Sequence, residues 1–466
     1  MTAAPSPSFS AWFQALDDAS ERYPLTDVVY TSRSGGLLEV RHDTDAWRAA
    51  RSPAGWRELF DSRYGRTHYP HGSGVWSKLE WVQPHLDPTL VVSLFEGNSN
   101  LFWAERYGAS LGLQDLWVKQ CGTSHTGSFK DLGMTVLVST VRQAIREGKP
   151  IRAVACASTG DTSAALAAFG AAAGIPVIVL LPRGKISAAQ LVQPLANDAL
   201  VCALDTDFDG CMRVVKELAK DPTIYLANSM NSLRIEGQKT VAYEIVQQFD
   251  WRVPDWVLVP GGNLGNISAI AKGFLDLVEA GVVDEVPRLV CCQAEHANPL
   301  YVAFKKAEAH GRTLTEADYE PMTPLATLAS AIRIGAPVSL PKAVRALAAT
   351  RGVVEQASER ALAEASARAD RTGLFNCPQT GVALACLEAL VAKGAIRPLD
   401  RVVVVSTAHG LKFTDTKAAY HDASLELGDG GGAGAYRNVP VAIDPEPQRA
   451  LDGIHRALDQ RLSARG

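Results

Sequence analysis

A two-lobed α/β fold, built of mostly parallel sheets flanked by helices and preceded by an N-terminal extension, is what this sequence predicts. Three observations predict it. The chain has 466 residues, too many for one ordinary core. From about Leu113 onward, short β-type runs recur without polar alternation, the pattern of strands buried on both faces. Between them lie Ala-rich helical stretches such as DTSAALAAFGAAAG (161–174) and GQKTVAYEIVQQF (237–249), so strands and helices alternate as in crossover-connected parallel sheets.

Taken in order, residues 1–90 are rich in Trp, Tyr, His and Arg and hold few long apolar runs, which marks them as the extension. The strand candidates follow: LWVKQ within 113–120, IRAVACA (151–157), IPVIVLLP (175–182), LVCALD (200–205), TIYLAN (223–228), WVLVPGG (256–262), RLVCCQA (288–294) and RVVVVST (401–407). So many strands fit two sheets better than one. The charged helix ERALAEASARADR (359–371) reads as a solvated face. Beyond Leu427, GDGGGAGA predicts a flexible stretch, followed by a terminal helix around Glu446–Arg461.

Composition excludes several function classes. Net charge is -4, so no basic field recruits nucleic acid or acidic lipid. No uninterrupted apolar window of about 18 residues occurs, so no membrane span is expected. The start, MTAAPSPSFSAW, lacks the charged and apolar regions of a secretory leader. The eight cysteines (121, 156, 202, 211, 291, 292, 377 and 386) form no CxxC or Cys/His ligand spacing. They read as reduced core thiols in a cytoplasmic protein. His71, His85, His125, His296 and His409 have no ligand spacing either, so no metal is expected. Trp76, Trp81 and Trp103 read as core anchors.

Ligands of open α/β sheets sit beyond the carboxyl ends of strands, and four such loops are chemically unusual. In CGTSHTGSFKDLG (121–133), Lys130 falls where a helix begins, an awkward place for a cation because the positive end of the dipole repels it. Imine formation with an aldehyde removes most of that conflict; the alternative is a solvated surface lysine. In ASTGDTS (157–163), small hydroxyl residues before a helix make an anion site, or else ordinary N-caps from Ser158, Thr159 or Asp161. PGGNLGN (260–266) offers exposed N–H groups suited to a phosphate ester, or a structural turn. It is not GxGxxG, so a dinucleotide-binding regulator is a weak competitor. STAHG (406–410) presents a hydroxyl after a very apolar strand, for a ligand or as a helix cap.

Together HTGSFKDLGMTV, ASTGDTSAAL, NSLRIEGQKT, GGNLGN and STAHGLKF, in this order, carry a resemblance. With GVWSKLEWV and FEGNSNLFWAERYG upstream, the chain from about Gly74 to about Lys417 resembles threonine synthase, in its plant-type branch. The resemblance implies the fold type II (tryptophan synthase β-like) architecture with pyridoxal 5'-phosphate between the lobes. The implied division is an extension over 1–95, a large cofactor domain over 96–134 and 251–430, a small domain over 135–250 and a tail over 431–466. Lys130 matches the Schiff-base lysine and catalytic base, and Phe129 belongs to the same motif. Gly262, Asn263, Leu264, Gly265 and Asn266 match the cofactor-phosphate loop, and Thr407 the hydroxyl facing the pyridine nitrogen. Asp161 falls at the cofactor's ring hydroxyl, where two negative oxygens would need a shared proton. Ser158, Thr159, Asn228, Ser229, Asn231 and Arg234 match positions around the substrate's carboxylate and phosphate.

The implied reaction takes O-phospho-L-homoserine, removes its γ-phosphate and adds water at the β-carbon to give L-threonine. Arg234 offers a fork to the departing phosphate. A neutral Thr407 leaves the pyridine nitrogen largely unprotonated, a weaker electron sink that favours elimination and replacement over transamination. The competitor in the same chemistry is β-replacement on O-phosphoserine, as in the related cysteate synthase. One CH2 separates the substrates, worth about 1–3 kcal/mol of discrimination. The resemblance also implies a homodimer and an S-adenosylmethionine effector site, for which Trp76 offers an aromatic face.

Overall fold

The computed structural model describes residues 9–463 except 159, 185–187, 207 and 429–432. The strands are β1 (Ala11–Ala15), β2 (Arg22–Tyr23), β3 (Leu38–His42), β4 (Leu101–Trp103), β5 (Asp115–Gln120), β6 (Ala153–Ala157), β7 (Val177–Pro182), β8 (Leu200–Leu204), β9 (Ile224–Leu226), β10 (Trp256–Pro260), β11 (Arg288–Ala294), β12 (Val353–Ala357) and β13 (Arg401–Ser406). They form three sheets with orders β2-β1-β3, β12-β11-β10-β13-β5-β4 and β8-β7-β6-β9. The first is antiparallel. The four-stranded sheet is parallel throughout. The six-stranded sheet is parallel except at its β4 edge. All eight expected strand runs are strands. The central ones are buried for the reason that made them legible: Val257, Leu258, Val259, Val402, Val403 and Val404 are each fully buried, as strands covered on both faces must be, whereas the edge strand β8 has no buried residue.

The orders place the site. In the six-stranded sheet the chain runs outward from β10 through β11 to β12 on one side, while β13 and β5 lie on the other. In the four-stranded sheet β6, β7 and β8 run one way and β9 lies opposite. Each sheet therefore has a topological switch point, where adjacent connections diverge and open a crevice. The loops after β10 and β13 flank the first, and the loops after β6 and β9 flank the second.

Several elements differ from the sequence reading. The extension supplies β1–β3 and an aromatic cluster, in which Trp47 stacks on Trp81 at 4.7 Å and Trp56 meets Trp81 edge-on at 5.2 Å. These rings belong to the same continuous core as the sheets. Trp76 and Trp81 are fully buried anchors as expected, but Trp103 is half exposed and lies along Trp117 at 6.3 Å. The 237–249 run is two helices, Leu233–Gln238 and Thr240–Gln248, separated at Lys239. Gly237 lies so close to the Leu132 carbonyl that a Cβ would sit 1.6 Å from it, so this crossing requires glycine. The 359–371 helix, Glu359–Asp370, is not a solvated face. Leu362, Ala363, Ala365, Ser366, Ala367 and Ala369 are buried, because Ala spacing lets it pack closely on the helix Pro378–Ala392. The terminal helix spans Pro447–Ser463. No helix among the described residues is long and apolar enough to cross a membrane.

Candidate active site

Lys130 is the first residue of the helix Lys130–Arg146, directly after the loop that leaves β5. Its Nζ lies 4.2 Å from the Phe129 ring centroid. Burial, and then the nearby Arg234 guanidinium, push the ammonium down to about 7, against the opposing pull of Asp161. A lysine near neutrality is a usable nucleophile and base at physiological pH. The helix start is held by its own second residue. Asp131 accepts from Thr126 N at 2.7 Å and Thr126 Oγ1 at 2.5 Å, closing the turn in front of Lys130.

The Lys130 loop and the loop after β13 are zipped together. Phe129 N donates to Thr407 O at 2.9 Å, His409 N donates to Gly127 O at 2.9 Å, and Ser128 bridges Ala408. Thr407 is thereby fixed beside Lys130, with its hydroxyl 3.6 Å from the Cys377 thiol. Cys377 continues to Thr380 Oγ1 at 3.2 Å, and Thr380 to Ser406 Oγ at 3.2 Å. Thr407's buried surroundings are thus neutral hydroxyl and thiol groups. His409 Nδ1 accepts from Leu411 N and caps the following turn, while His125 is exposed.

Loops of the four-stranded sheet face these from across the crevice. Asp161 begins the helix Asp161–Ala173 and forms an ion pair with Lys412 at 3.0 Å. Ser158 Oγ accepts from Gly160 N at 3.2 Å. Thr159 lies outside the described residues. Asn228 grips both backbone groups of Ala157 at 3.1 Å, and Asn231 binds Tyr225 Oη, the Leu226 carbonyl and Leu233 N. Their amides shape the loop after β9 and are fully engaged in doing so. Ser229 Oγ accepts from Asn263 Nδ2 at 3.4 Å, a link between the two sheets' loops.

Arg234 is nearly fully buried on the helix Leu233–Gln238. Its Nη groups reach only Ala227 O and Thr162 Oγ1, both at 3.3 Å, and its Nε has no partner. No carboxylate pairs with it among the described residues. Burial pushes it down to about 10. A buried guanidinium without a counter-charge is costly, and it sits beside Lys130.

The loop after β10 turns sharply into the helix Gly265–Glu279. Leu264 caps it in the left-handed region at φ 64°, a strained backbone for a branched residue. Gly262 abuts Ile332, whose Cα would be 2.9 Å from an added Cβ. Asn263 accepts from Ser339 N through its carbonyl at 3.1 Å, and Asn266 Nδ2 turns back onto the Pro260 carbonyl. The Asn263 side chain also accepts from Val338 N at 3.4 Å, so it and Asn266 brace the turn, and the first-turn amides of the helix have no helical carbonyl to bind. Such a helix start is an anion site.

Residues 92–408 match the family model described as pyridoxal-phosphate dependent enzyme. Threonine synthase 2, chloroplastic, of Arabidopsis thaliana is 57% identical over 415 residues, covering 89% of this chain and 79% of that protein. The threonine synthase of Methanocaldococcus jannaschii is 39% identical, covering 87% of this chain and 94% of that one. The chain belongs to the threonine synthase family of pyridoxal-phosphate-dependent enzymes. Solved structures agree in fold. Threonine synthase from Escherichia coli superposes with a TM-score of 0.63 at 20% identity, covering 87% of this chain and 90% of that one. A pyridoxal-phosphate-bound threonine synthase from Brucella melitensis gives 0.62 at 19%, covering 88% and 91%.

The residues present fit that cofactor: an amine of depressed basicity at Lys130 for the aldehyde, the amides of the turn and helix start over 262–266 for the phosphate, and a neutral hydroxyl at Thr407. Sequence reasoning missed three contributors. Cys377 and Thr380 escaped because their link to Thr407 is tertiary. Lys412 escaped although STAHGLKF contains it, because a lysine after a turn reads as surface. The face that Trp76 was expected to offer an effector is absent: the ring is fully buried and its Nε1 donates to Thr135 Oγ1 at 2.7 Å.

Proposed function

We propose that this chain converts O-phospho-L-homoserine and water to L-threonine and phosphate. The observation that carries the reading is Arg234, a buried cation with no carboxylate partner among the described residues, beside a lysine of near-neutral basicity. A phosphate ester supplies the missing charge, and the guanidinium fork binds it by two parallel hydrogen bonds. Pyridoxal phosphate, when bound, supplies an aldehyde for covalent attachment and a ring that accepts electrons from the substrate's α-carbon.

This chain's residues do the rest. Lys130 Nζ would hold the cofactor's aldehyde carbon and, as a free amine, would take the substrate's α-proton and return protons along the substrate chain. Arg234 receives the γ-phosphate, and its charge adds to burial in lowering the basicity of Lys130 to about 7. The amides of Gly262, Asn263, Leu264, Gly265 and Asn266 hold the cofactor's phosphate at the positive end of their helix. Thr407 gives the ring nitrogen a hydroxyl rather than a carboxylate, so protonation there is not stabilised. Ser158, Thr159 and Ser229 lie in the loops that receive the substrate, and Asn228 and Asn231 hold those loops in shape.

The reading includes a homodimer in a reducing compartment, the cytoplasm. Buried, unbridged thiols such as Cys156, Cys291 and Cys386 support the compartment, and family resemblance supports the dimer. S-adenosylmethionine enters as an effector to be titrated, supported by the plant-branch motifs, with a site that does not use Trp76. The deciding experiment supplies O-phosphohomoserine to the holoenzyme and measures phosphate and amino acid together. Equimolar phosphate and threonine are expected. Turnover of O-phosphoserine with sulfite in place of phosphohomoserine contradicts the reading.

A further inference from the structure

Asp161 and Lys412 form a largely buried pair that the reaction as described does not use. Each side chain is only 11% exposed, and the ion-pair distance is 3.0 Å. Lys412 lies in the turn Gly410–Phe413 that follows β13 and Thr407. Its ammonium also donates to Thr126 O and to Gln193 Oε1, both at 3.0 Å. Gln193 Nε2 donates to the same Thr126 carbonyl at 3.1 Å. The three donors of an ammonium are thus all engaged, and the acceptors come from three separate segments. Thr126 is the residue whose turn holds Asp131 and so sets the start of the Lys130 helix. Gln193 lies on the helix Ala188–Ala196, and Asp161 starts the helix after β6. A lysine satisfied this fully, from three directions, has its position set by the fold.

We propose that Lys412 is a positioning residue that keeps Asp161 ionised and aimed at the cofactor's ring hydroxyl, so that Asp161 acts there only as a hydrogen-bond acceptor. The proposal deepens the reading above and rests on it together with the position at the ring hydroxyl that the family resemblance implies for Asp161. A carboxylate facing a ring oxygen raises the question of which oxygen holds the proton between them. An ammonium in contact with the carboxylate answers it, because an opposite charge at that distance favours the ionised form. The ring oxygen then keeps the proton. Charged groups facing Asp161 among the described residues are Lys412, Lys130 and, beyond Lys130, Arg234; Asp131 faces Lys412 from the Lys130 helix. Only Lys412 touches the carboxylate. With its charge removed, Asp161 is a buried carboxylate without a contact partner, and its proton affinity rises.

The test uses the holoenzyme without substrate. Absorbance of the bound cofactor is followed from about pH 5 to 9 in wild type, Lys412→Met, Lys412→Arg and the double variant Lys412→Met with Asp161→Asn. Lys412→Met is expected to show a pH-dependent spectral transition absent from wild type and from Lys412→Arg. The double variant is expected to lose that transition, because the group that titrates is gone. A Lys412→Met spectrum as insensitive to pH as wild type, or a new transition that survives Asp161→Asn, overturns the proposal. Infrared difference spectra of wild type against Asp161→Asn give a second measurement that needs no Lys412 variant. A carboxylate band throughout the range is expected, and a protonated-carboxyl band overturns the proposal. Neither measurement involves phosphohomoserine. An enzyme with another substrate leaves them intact, and a threonine-forming enzyme still fails them if Lys412 has no such role.

Discussion

Arg234 and Glu236 stand two residues apart on one short helix, both buried, and their surroundings are opposite. Glu236 accepts from His42 Nε2 at 2.6 Å and pairs with Lys239 at 2.8 Å and with Lys272. Burial alone would raise its carboxyl; Lys239 and Lys272 outweigh that and hold it well below the usual range. Lys239 in turn pairs with Asp276 at 2.7 Å, and Tyr243 donates to Asp276 at 2.5 Å. Burial and Lys239 push His42 down to about 4, so it is neutral. The network joins β3 of the extension to helices of the main core, and its charges are internally matched. Among the described residues Arg234 has no carboxylate partner and one orphaned N–H. The protein matches a buried charge completely at Glu236 and, among the described residues, leaves Arg234 half a helical turn away without a counter-charge; on the proposed function the substrate's phosphate supplies it. The anchoring region and the reacting region share a helix, so the extension also sets where Arg234 points.

The largest effect is expected at the reacting end. Lys130→Ala removes both attachment and base, and turnover should fall by about a thousandfold or more while the fold is retained. Borohydride reduction and peptide mapping should place the pyridoxyl group on Lys130, and a label on another lysine ends the assignment. At the matched end the effect is on stability. Glu236→Gln leaves the Lys239 and Lys272 charges buried with too little compensation, at a cost of about 3–5 kcal/mol in urea unfolding. A change below about 0.5 kcal/mol would mean that the network contributes nothing.

Arg234→Lys should invert that pattern. Stability should stay within about 1 kcal/mol of wild type, while kcat/KM for phosphohomoserine falls about 10–100-fold for want of the fork. If stability falls as far as in Glu236→Gln, the two sites are not different in kind. Thr407→Asp is a smaller change. It should favour ring protonation, lower threonine formation several-fold and raise transamination; an unchanged spectrum and product ratio would show that Thr407 does not face the ring.

Smallest is the pH effect. Lys130 sits near 7 when folded against about 10.4 when unfolded. The unfolded chain therefore binds more protons between those values, so the cofactor-free protein should gain stability as pH rises from 7 toward 10. Its rate of cofactor attachment should rise through about pH 7. Pulsed borohydride trapping against pH checks the second; a midpoint near 10 would place Lys130 in water.

What was legible in the sequence follows from what contiguous residues can encode. The eight strands announce themselves because parallel strands are apolar on both faces, and each cofactor loop lies whole between a strand and a helix. β4 and β12 were missed, being short or, as VVEQA, interrupted by Glu355 and Gln356. β1–β3 were missed because strands such as LEVRH carry the charges that anchor them. Arg234 was found by its motif, but the sequence could not show that it lacks a carboxylate partner among the described residues, nor that Glu236 has three charged or ring partners. The same holds for Lys412 and Asp161, which are far apart in the chain and meet only in the crevice.

The most direct test of the central claim is inhibition by inorganic phosphate, measured with saturating cofactor in wild type and in Arg234→Lys. If Arg234 holds the departing phosphate, the inhibition constant should rise about tenfold or more in the variant, with Lys130 labelled by borohydride as fully as in wild type. Equal inhibition in both proteins would remove Arg234 from the phosphate site and contradict the account.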